Sequence, residues 1–513
     1  MKQLRLFLLI AGVALALGAL PLSQAGAGTA DSKRYIVVFD GEYAVDGTYA
    51  VESTYAVLCT YAVTGTYAVG GGYAVGCDYA VDDLYAVYAV AHTYAVSLVQ
   101  AAGGTVTNDL LRQTGVMVVE STNALFAEVM RSYAVVQEVG SDVSWIAPSA
   151  PSGGGPDDTN DTLESQQWSM KQIRAPEAHA LQAGWRAVDV GILDTGIDVT
   201  HPDFDDDGLV PGGGTNVDCA RGRDSVSKGP SPGVPFPCID NAFHGTHVAG
   251  IVAAQANTIG VTGVAPNVTL VPVKVCDSSG FCYASAVVDG ITYAGDIQLD
   301  VLNMSLFADD GALLASTECK PNSDPELRAF AEAVNRAVSH ANQRGATVVV
   351  AAGNSDTELD SRDDCQVVPQ ESPGVVDVAS IGPTKQKASY SSWGDVEVAA
   401  PGGAGQTGNC TNTVLSTFPM ALGGYGCIQG TSMASPHAAG VAALIVSQYG
   451  KLGSDGDVKL APERVKDLLF RTTIDQGAAG RDECFGYGRV DALRAVTGDT
   501  SRSYDSSLTT CVN

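Results

Sequence analysis

The chain has 513 residues, 45% of them hydrophobic and 17% charged, with 29 basic against 57 acidic side chains and a formal charge of -28. That composition can bury at least one large core and excludes a disordered polyelectrolyte. The acidic excess argues against a nucleic-acid partner, because no surplus of Lys and Arg is available to neutralise phosphates.

Lys2 and Arg5 precede an apolar stretch from Leu6 to Leu20, and small residues follow around Ala25. This is the layout of a cleaved secretory signal over residues 1–27. No later run is apolar and long enough to anchor the chain in a bilayer, so a secreted, extracellular protein is expected. In that compartment the 12 cysteines read as paired thiols.

Residues 28–147 form the next unit. Arg34 to Phe39 reads as a strand, as does Gly115 to Glu120 after a turn-like Ala102 to Thr105, and Leu125 to Ser132 is helical in period. Within this small α+β unit Tyr-Ala-Val recurs every six residues from Tyr43 to Tyr85, then at Tyr88, Tyr94 and Tyr133. Such an array reads either as a short stacked β-structure or as an inert low-complexity expansion. Residues 148–165, rich in Pro, Gly, Ser and Asp, cannot pack and form a linker open to nicking.

The body, residues 166–513, alternates short apolar runs with helical stretches, as in a three-layer α/β fold with a doubly wound, mostly parallel sheet. Strands are expected at Ala187 to Leu193, Thr269 to Val275, Asp300 to Asn303 and Ala346 to Ala351, and a helix from Pro325 to Arg344. Sites in such sheets gather at the carboxyl ends of the strands. Asp194 ends one such strand, and His244 opens a helix of small residues in His244-Gly245-Thr246-His247. Ser432 follows Gly430-Thr431 at another helix start, where free N–H groups favour negative charge, and Asn354 follows Ala351-Ala352-Gly353. Singly, each has a structural reading as a cap or turn residue. Together they supply a nucleophile, a base, an orienting carboxylate and an oxyanion donor for acyl transfer. A metal pair at His244 and His247 lacks the Glu that a zinc hydrolase helix carries.

In the chain order Asp, His, Ser, and in the residues around each, the sequence resembles the subtilisin-like serine peptidases. The resemblance covers roughly Gln166 to Val496. It implies Asp194, His244 and Ser432 as a triad, Asn354 as the oxyanion donor, and structural roles for His247 and His437. It also implies that residues 28–147 are an inhibitor-like pro-segment, removed by self-cleavage in the linker and acting until then as the enzyme's temporary partner. Ser305 and Leu306 resemble the strand that pairs with substrate, and Gly353 the opposite wall of the pocket, with Phe307 as a bulky rim. Protein or peptide substrates and a monomeric enzyme are therefore expected. No cofactor is needed for catalysis. Asp203 and Glu397 match positions that hold structural calcium in some relatives, and Asp205 to Asp207 add hard oxygen ligands.

Short spacings suggest Cys276 with Cys282, Cys219 with Cys238 and Cys410 with Cys427, leaving Cys319 with Cys365 and Cys484 with Cys511, while connectivity is not deducible from sequence. Two other classes fit the residues less well. An α/β-hydrolase esterase needs Gly where Ala434 stands and a different triad order. A catalytically dead scaffold has no use for an intact triad.

Overall fold

The computed structural model describes residues 32–40, 62–63, 80–81, 85–146, 163–205, 214–226, 236–306, 325–359, 366–453 and 456–507. The signal segment, the array before Tyr85 apart from a short parallel strand pair at Ala62–Val63 and Ala80–Val81, nearly all of the linker, the Phe307 rim and cysteines 59, 77, 319, 365 and 511 lie outside the described residues.

The body is built on one seven-stranded sheet. Its strands are β6 (Asp189–Asp194), β7 (Arg223–Asp224), β8 (Thr269–Lys274), β10 (Val301–Met304), β11 (Thr347–Ala351), β12 (Val376–Ile381) and β13 (Val398–Pro401). They lie in the order β13-β12-β11-β10-β6-β8-β7, every pair parallel. Both faces are covered, so the strands are buried along nearly their whole length, as the apolar runs predict. Alternate residues serve opposite faces: Val190 and Ile192 pack with α4 (His244–Ala253) and α7 (Thr431–Tyr449). Leu193 and Val273 pack with α5 (Ala284–Asp296) and α6 (Pro325–Gln343). The crossover order puts the carboxyl ends of β6, β10 and β11 side by side, and the sequence candidates gather there.

The N-terminal unit is a four-stranded antiparallel sheet ordered β2-β3-β1-β4, from β1 (Lys33–Phe39), β2 (Gly104–Leu110), β3 (Val116–Ser121) and β4 (Val136–Ser141). One face carries Tyr35, Val37, Phe39, Met117 and Val119, packed with Phe126 and Met130 of α2 (Phe126–Arg131). The other face carries Ile36, Val38, Leu110 and Val116, and these enter the apolar cluster of α5 and α6. The unit is thus docked on the body through its own core residues. Helix α5 lacks a cap of its own. Asp142 supplies it from the N-terminal unit, its Oδ1 accepting from the Ser285 N–H at 2.8 Å and its Oδ2 from the Ser285 hydroxyl at 2.6 Å. Glu138 pairs with Arg328 at 2.8 Å, and Arg336 donates to the Phe39 carbonyl at 2.8 Å. Strand β5 (Ser144–Ile146) then runs antiparallel along β9 (Phe281–Tyr283) of the body, just before the linker.

Two sequence readings change. The end of the Tyr-Ala-Val array is helix rather than strand: it forms helix α1 (Tyr85–Ala101), whose Ala95, Leu98 and Val99 are buried in the unit's core. The period of six breaks after Tyr85, and the residues that follow place apolar groups at 95, 98, 99 and 102, which is helical spacing. The turn placed at Ala102 to Thr105 closes at Gly103, with φ +84°, and β2 begins at Gly104. Three expected disulfides, Cys219–Cys238, Cys276–Cys282 and Cys410–Cys427, are present. Cys484 is also disulfide-bonded. No described helix is long and apolar enough to cross a membrane.

Candidate active site

Asp194 is the last residue of β6 and His244 the first of α4, and the structure joins them. His244 Nδ1 lies 2.9 Å from each carboxylate oxygen of Asp194, with both side chains fully buried. Two glycines make this approach possible. A Cβ on Gly245 would stand 2.1 Å from the Gly196 carbonyl oxygen, so any side chain there would push the helix off the strand end. Burial by itself would lower the His244 pKa, but the charge and hydrogen bond of Asp194, with Asp240 behind it, raise it above the ordinary imidazole value. His244 Nε2 has no hydrogen-bond partner among the described residues.

Ser432 is the second residue of α7, preceded by Gly430 at φ +153°. Its hydroxyl donates to the Ser305 carbonyl at 3.2 Å, while the Ser305 hydroxyl donates to the Ser432 carbonyl at 2.8 Å. The expected bond from Ser432 to the imidazole is therefore not made in this rotamer. Such bonds are often unmade in the free enzyme and tighten only when substrate is present. Asn354 sits just past β11. Its Oδ1 accepts from the Thr431 N–H at 2.9 Å and the Thr431 hydroxyl at 3.0 Å, which fixes the amide and turns Nδ2 away. A Cβ on Gly430 would stand 3.3 Å from that Nδ2, so glycine leaves the space beside it open.

The residues predicted to hold substrate line the same place. Gly353 donates its N–H to the Thr431 hydroxyl at 3.0 Å, and Ser305 is locked to Ser432 and to Asn303, whose Nδ2 donates at 2.9 Å. Leu306 packs its side chain into the cluster of α5 and α6. Its carbonyl, and that of Ala351, accept from Gln370 Nε2 at 3.0 and 2.7 Å, so Gln370 ties the ends of β10 and β11 together. Sequence reasoning missed Gln370, which no local pattern connects to either strand. It also missed Asp240, whose position four residues ahead of His244 is a helix-start signal.

His247 and His437 take structural places. His247 Nε2 faces the Val414 and Gly426 carbonyls, and His437 Nδ1 the Met433 carbonyl. Burial holds their pKa values down to about 3 and about 4. With His244 on Asp194 and His247 on carbonyls, the metal-pair reading falls.

Asp203 and Glu397 each accept hydrogen bonds from the protein. Asp203 accepts from the Tyr425 hydroxyl at 2.8 Å and the Val261 N–H at 2.8 Å, and Glu397 from the Asp377 N–H at 2.7 Å. Desolvation pushes each carboxyl up to about 7. Among the described residues no three His, Cys, Asp or Glu side chains are arranged to hold an ion. Asp206 and Asp207 lie outside them.

Residues 186–488 match the model of the Subtilase family. The chain is 38% identical over 323 residues to subtilisin DY of Bacillus licheniformis, covering 63% of this chain and 94% of that protein. It is 33% identical over 336 residues to thermitase of Thermoactinomyces vulgaris, covering 65% and 97%. Against subtilisin amylosacchariticus of Bacillus subtilis subsp. amylosacchariticus it is 36% identical over 287 residues and spans only 62% of that relative's length. The crystal structure of the epidermin leader peptide processing serine protease from Staphylococcus aureus superposes with a TM-score of 0.64 over 92% of this chain and all of the other, at 19% identity. That likeness is one of fold. The match of the family model over more than half of the chain, with Asp194, His244 and Ser432 gathered at the strand ends, places this protein in the subtilase family.

Proposed function

We propose that the chain is a secreted serine endopeptidase made as a self-processing zymogen. The observation that carries the reading is the buried Asp194–His244 pair, beside a helix-start serine and an asparagine amide with a free donor. In this mechanism Ser432 Oγ turns from the Ser305 carbonyl to His244 Nε2 and attacks the scissile carbonyl as its proton passes to the imidazole. Asp194 holds the Nδ1–H tautomer and stabilises the imidazolium. The tetrahedral oxyanion takes one hydrogen bond from Asn354 Nδ2 and one from the N–H at the start of α7. Collapse returns the proton to the leaving amine and leaves an acyl-enzyme, which water hydrolyses by the same route. Ser305 offers backbone to an extended peptide with Gly353 as the opposite wall, and strand addition of this kind binds many sequences.

The pro-segment reading is supported by the way the N-terminal unit docks. It caps α5 through Asp142, packs its sheet on α5 and α6, and lays β5 along β9 immediately before the linker. Ser432 has no exposed surface in this state. We read this as the closed precursor, from which the unit must depart after cleavage in the linker.

The test is an organophosphonate serine probe applied to processed protein beside a Ser432→Ala variant. Labelling of the first alone is expected, and equal labelling of both would end the assignment. Asn354→Ala is expected to lower kcat about 10²–10³-fold with little change in KM, because the donor matters only once the oxyanion forms. A proportional rise in KM instead would assign Asn354 to ground-state binding. Structural calcium is a separate proposal. It rests on Asp203 and the acidic loop after it, where a bound cation would keep a carboxyl ionised that burial alone holds near neutrality. Chelation is then expected to lower the Tm by several degrees, and an unchanged Tm removes calcium from the protein's stability.

A further inference from the structure

Asp240 is a buried acid that the mechanism above does not use. It is 6% exposed and accepts five hydrogen bonds. Oδ1 takes the Thr195 hydroxyl at 2.9 Å and the N–H groups of Ala242 and Phe243 at 3.0 Å each. Oδ2 takes the Thr246 N–H at 2.9 Å and the Thr246 hydroxyl at 2.7 Å. These donors flank His244 on both sides. Thr195 is the residue after Asp194: its N–H donates to Asp194 Oδ1 at 2.7 Å, and its hydroxyl accepts from the Gly245 N–H at 2.9 Å. The carboxylate of Asp240 therefore ties the strand end that carries Asp194 to the helix start that carries His244.

Two further features lie at this tie. Phe243, the residue before His244, adopts φ +146° and ψ -26°, a conformation that a bulky residue rarely takes. Its N–H is held by Asp240. Lys274, 3% exposed at the end of β8, donates from Nζ to the Thr195 carbonyl and to Asn241 Oδ1, so a cation braces the same segment from below.

We propose that Asp240 is a positioning residue for the reaction: through Thr195 and the start of α4 it sets the imidazole of His244 against Asp194, and its charge is felt at that imidazole. The proposal rests on the peptidase reading. The titratable groups around His244 are Asp194 from β6, Asp240 from the preceding loop, and His247 one turn further along α4, with His437 of α7 beyond it. Lys274 of β8 acts on the same two carboxylates. His247 and His437 stay neutral at working pH, so Asp194 and Asp240 dominate the field. Asp240 raises the His244 pKa. Removing its charge must then move the acid limb of kcat/KM to lower pH.

The experiment uses the processed enzyme, its active sites titrated with the phosphonate probe, on one peptide substrate. Asp240→Asn is expected to lower kcat about 10–100-fold with KM within about twofold, and to shift the acid limb to lower pH. Thr195→Val cuts the tie while leaving every charge, so kcat falls with no shift of the limb, and Thr195→Ser, which keeps the hydroxyl, recovers most of the rate. A merely structural role would lower the titrated fraction and leave the kcat and pH limb of the surviving enzyme unchanged; that result overturns the proposal. Should Asp240→Asn fail to fold, an unchanged kcat in Thr195→Val overturns it equally. Absence of labelling in the unsubstituted enzyme would overturn the peptidase reading itself, and this inference with it.

Discussion

The full-length chain carrying Ser432→Ala is expected to lose about 10⁶ in kcat, the loss that follows removal of the nucleophile from a subtilisin, and to remain at precursor length. Both outcomes come from one atom. Ser432 Oγ has no substitute nearby: Ser435 is committed to Asn303 Oδ1 at 2.7 Å and Ser305 to the Ser432 carbonyl. The oxyanion donors survive the substitution, so a small residual rate over water persists. The checks are turnover of a chromogenic peptide and the mass of the purified chain. A variant that matures normally when expressed alone would show that another protease cuts the linker, and would remove self-processing while leaving the peptidase assignment intact.

Asp194→Asn is expected to cost about 10⁴ in kcat with the site geometry preserved. The amide nitrogen would face His244 Nδ1 and favour the tautomer that puts the proton on Nε2, where the serine proton must go. The pH dependence carries a second signature. Asp194 makes the larger contribution, ahead of Asp240, to raising the His244 pKa against the lowering by burial. Without the carboxylate the imidazole deprotonates at lower pH, so the acid limb of kcat/KM moves down. The loss relative to the parent enzyme is consequently smaller at pH 5 than at pH 8. A parallel profile at both pH values would mean that Asp194 acts only as a spacer.

The sheet was legible because its strands are buried on both faces, and such strands write themselves as unbroken apolar runs: Asp189–Asp194, Thr269–Lys274 and Thr347–Ala351 all fall within a residue or two of the expected spans. Asp194, His244 and Ser432 were legible for a related reason. Each sits where an element begins or ends, beside glycines that only a close backbone approach requires, as Gly245 against Gly196 shows. The cysteine pairs with short separations were also readable, because their loops close within 6 to 19 residues.

What stayed hidden depends on contacts between distant segments. Asp142 looks like any acidic loop residue until its carboxylate is found on Ser285, 143 residues away. The last copies of the repeat read as strand or filler, since a triplet carries no period of its own. Only packing against the N-terminal sheet selects helix for Tyr85–Ala101. Asp203 and Glu397 look like any acidic loop residues in sequence, and only the structure shows the donors each carboxylate accepts.

The sequence by itself determined the α/β architecture, the family resemblance around Asp194, His244 and Ser432 and the three short-range cysteine pairs, because burial, element ends and short loops leave local marks. The tertiary structure alone decided that β6 and α4 meet closely enough to join Asp194 to His244, that Asp240 and Lys274 brace that junction, and that the N-terminal unit closes over the body. Those arrangements are set by crossovers and by hydrogen bonds between residues far apart in the chain, and no local spacing encodes them.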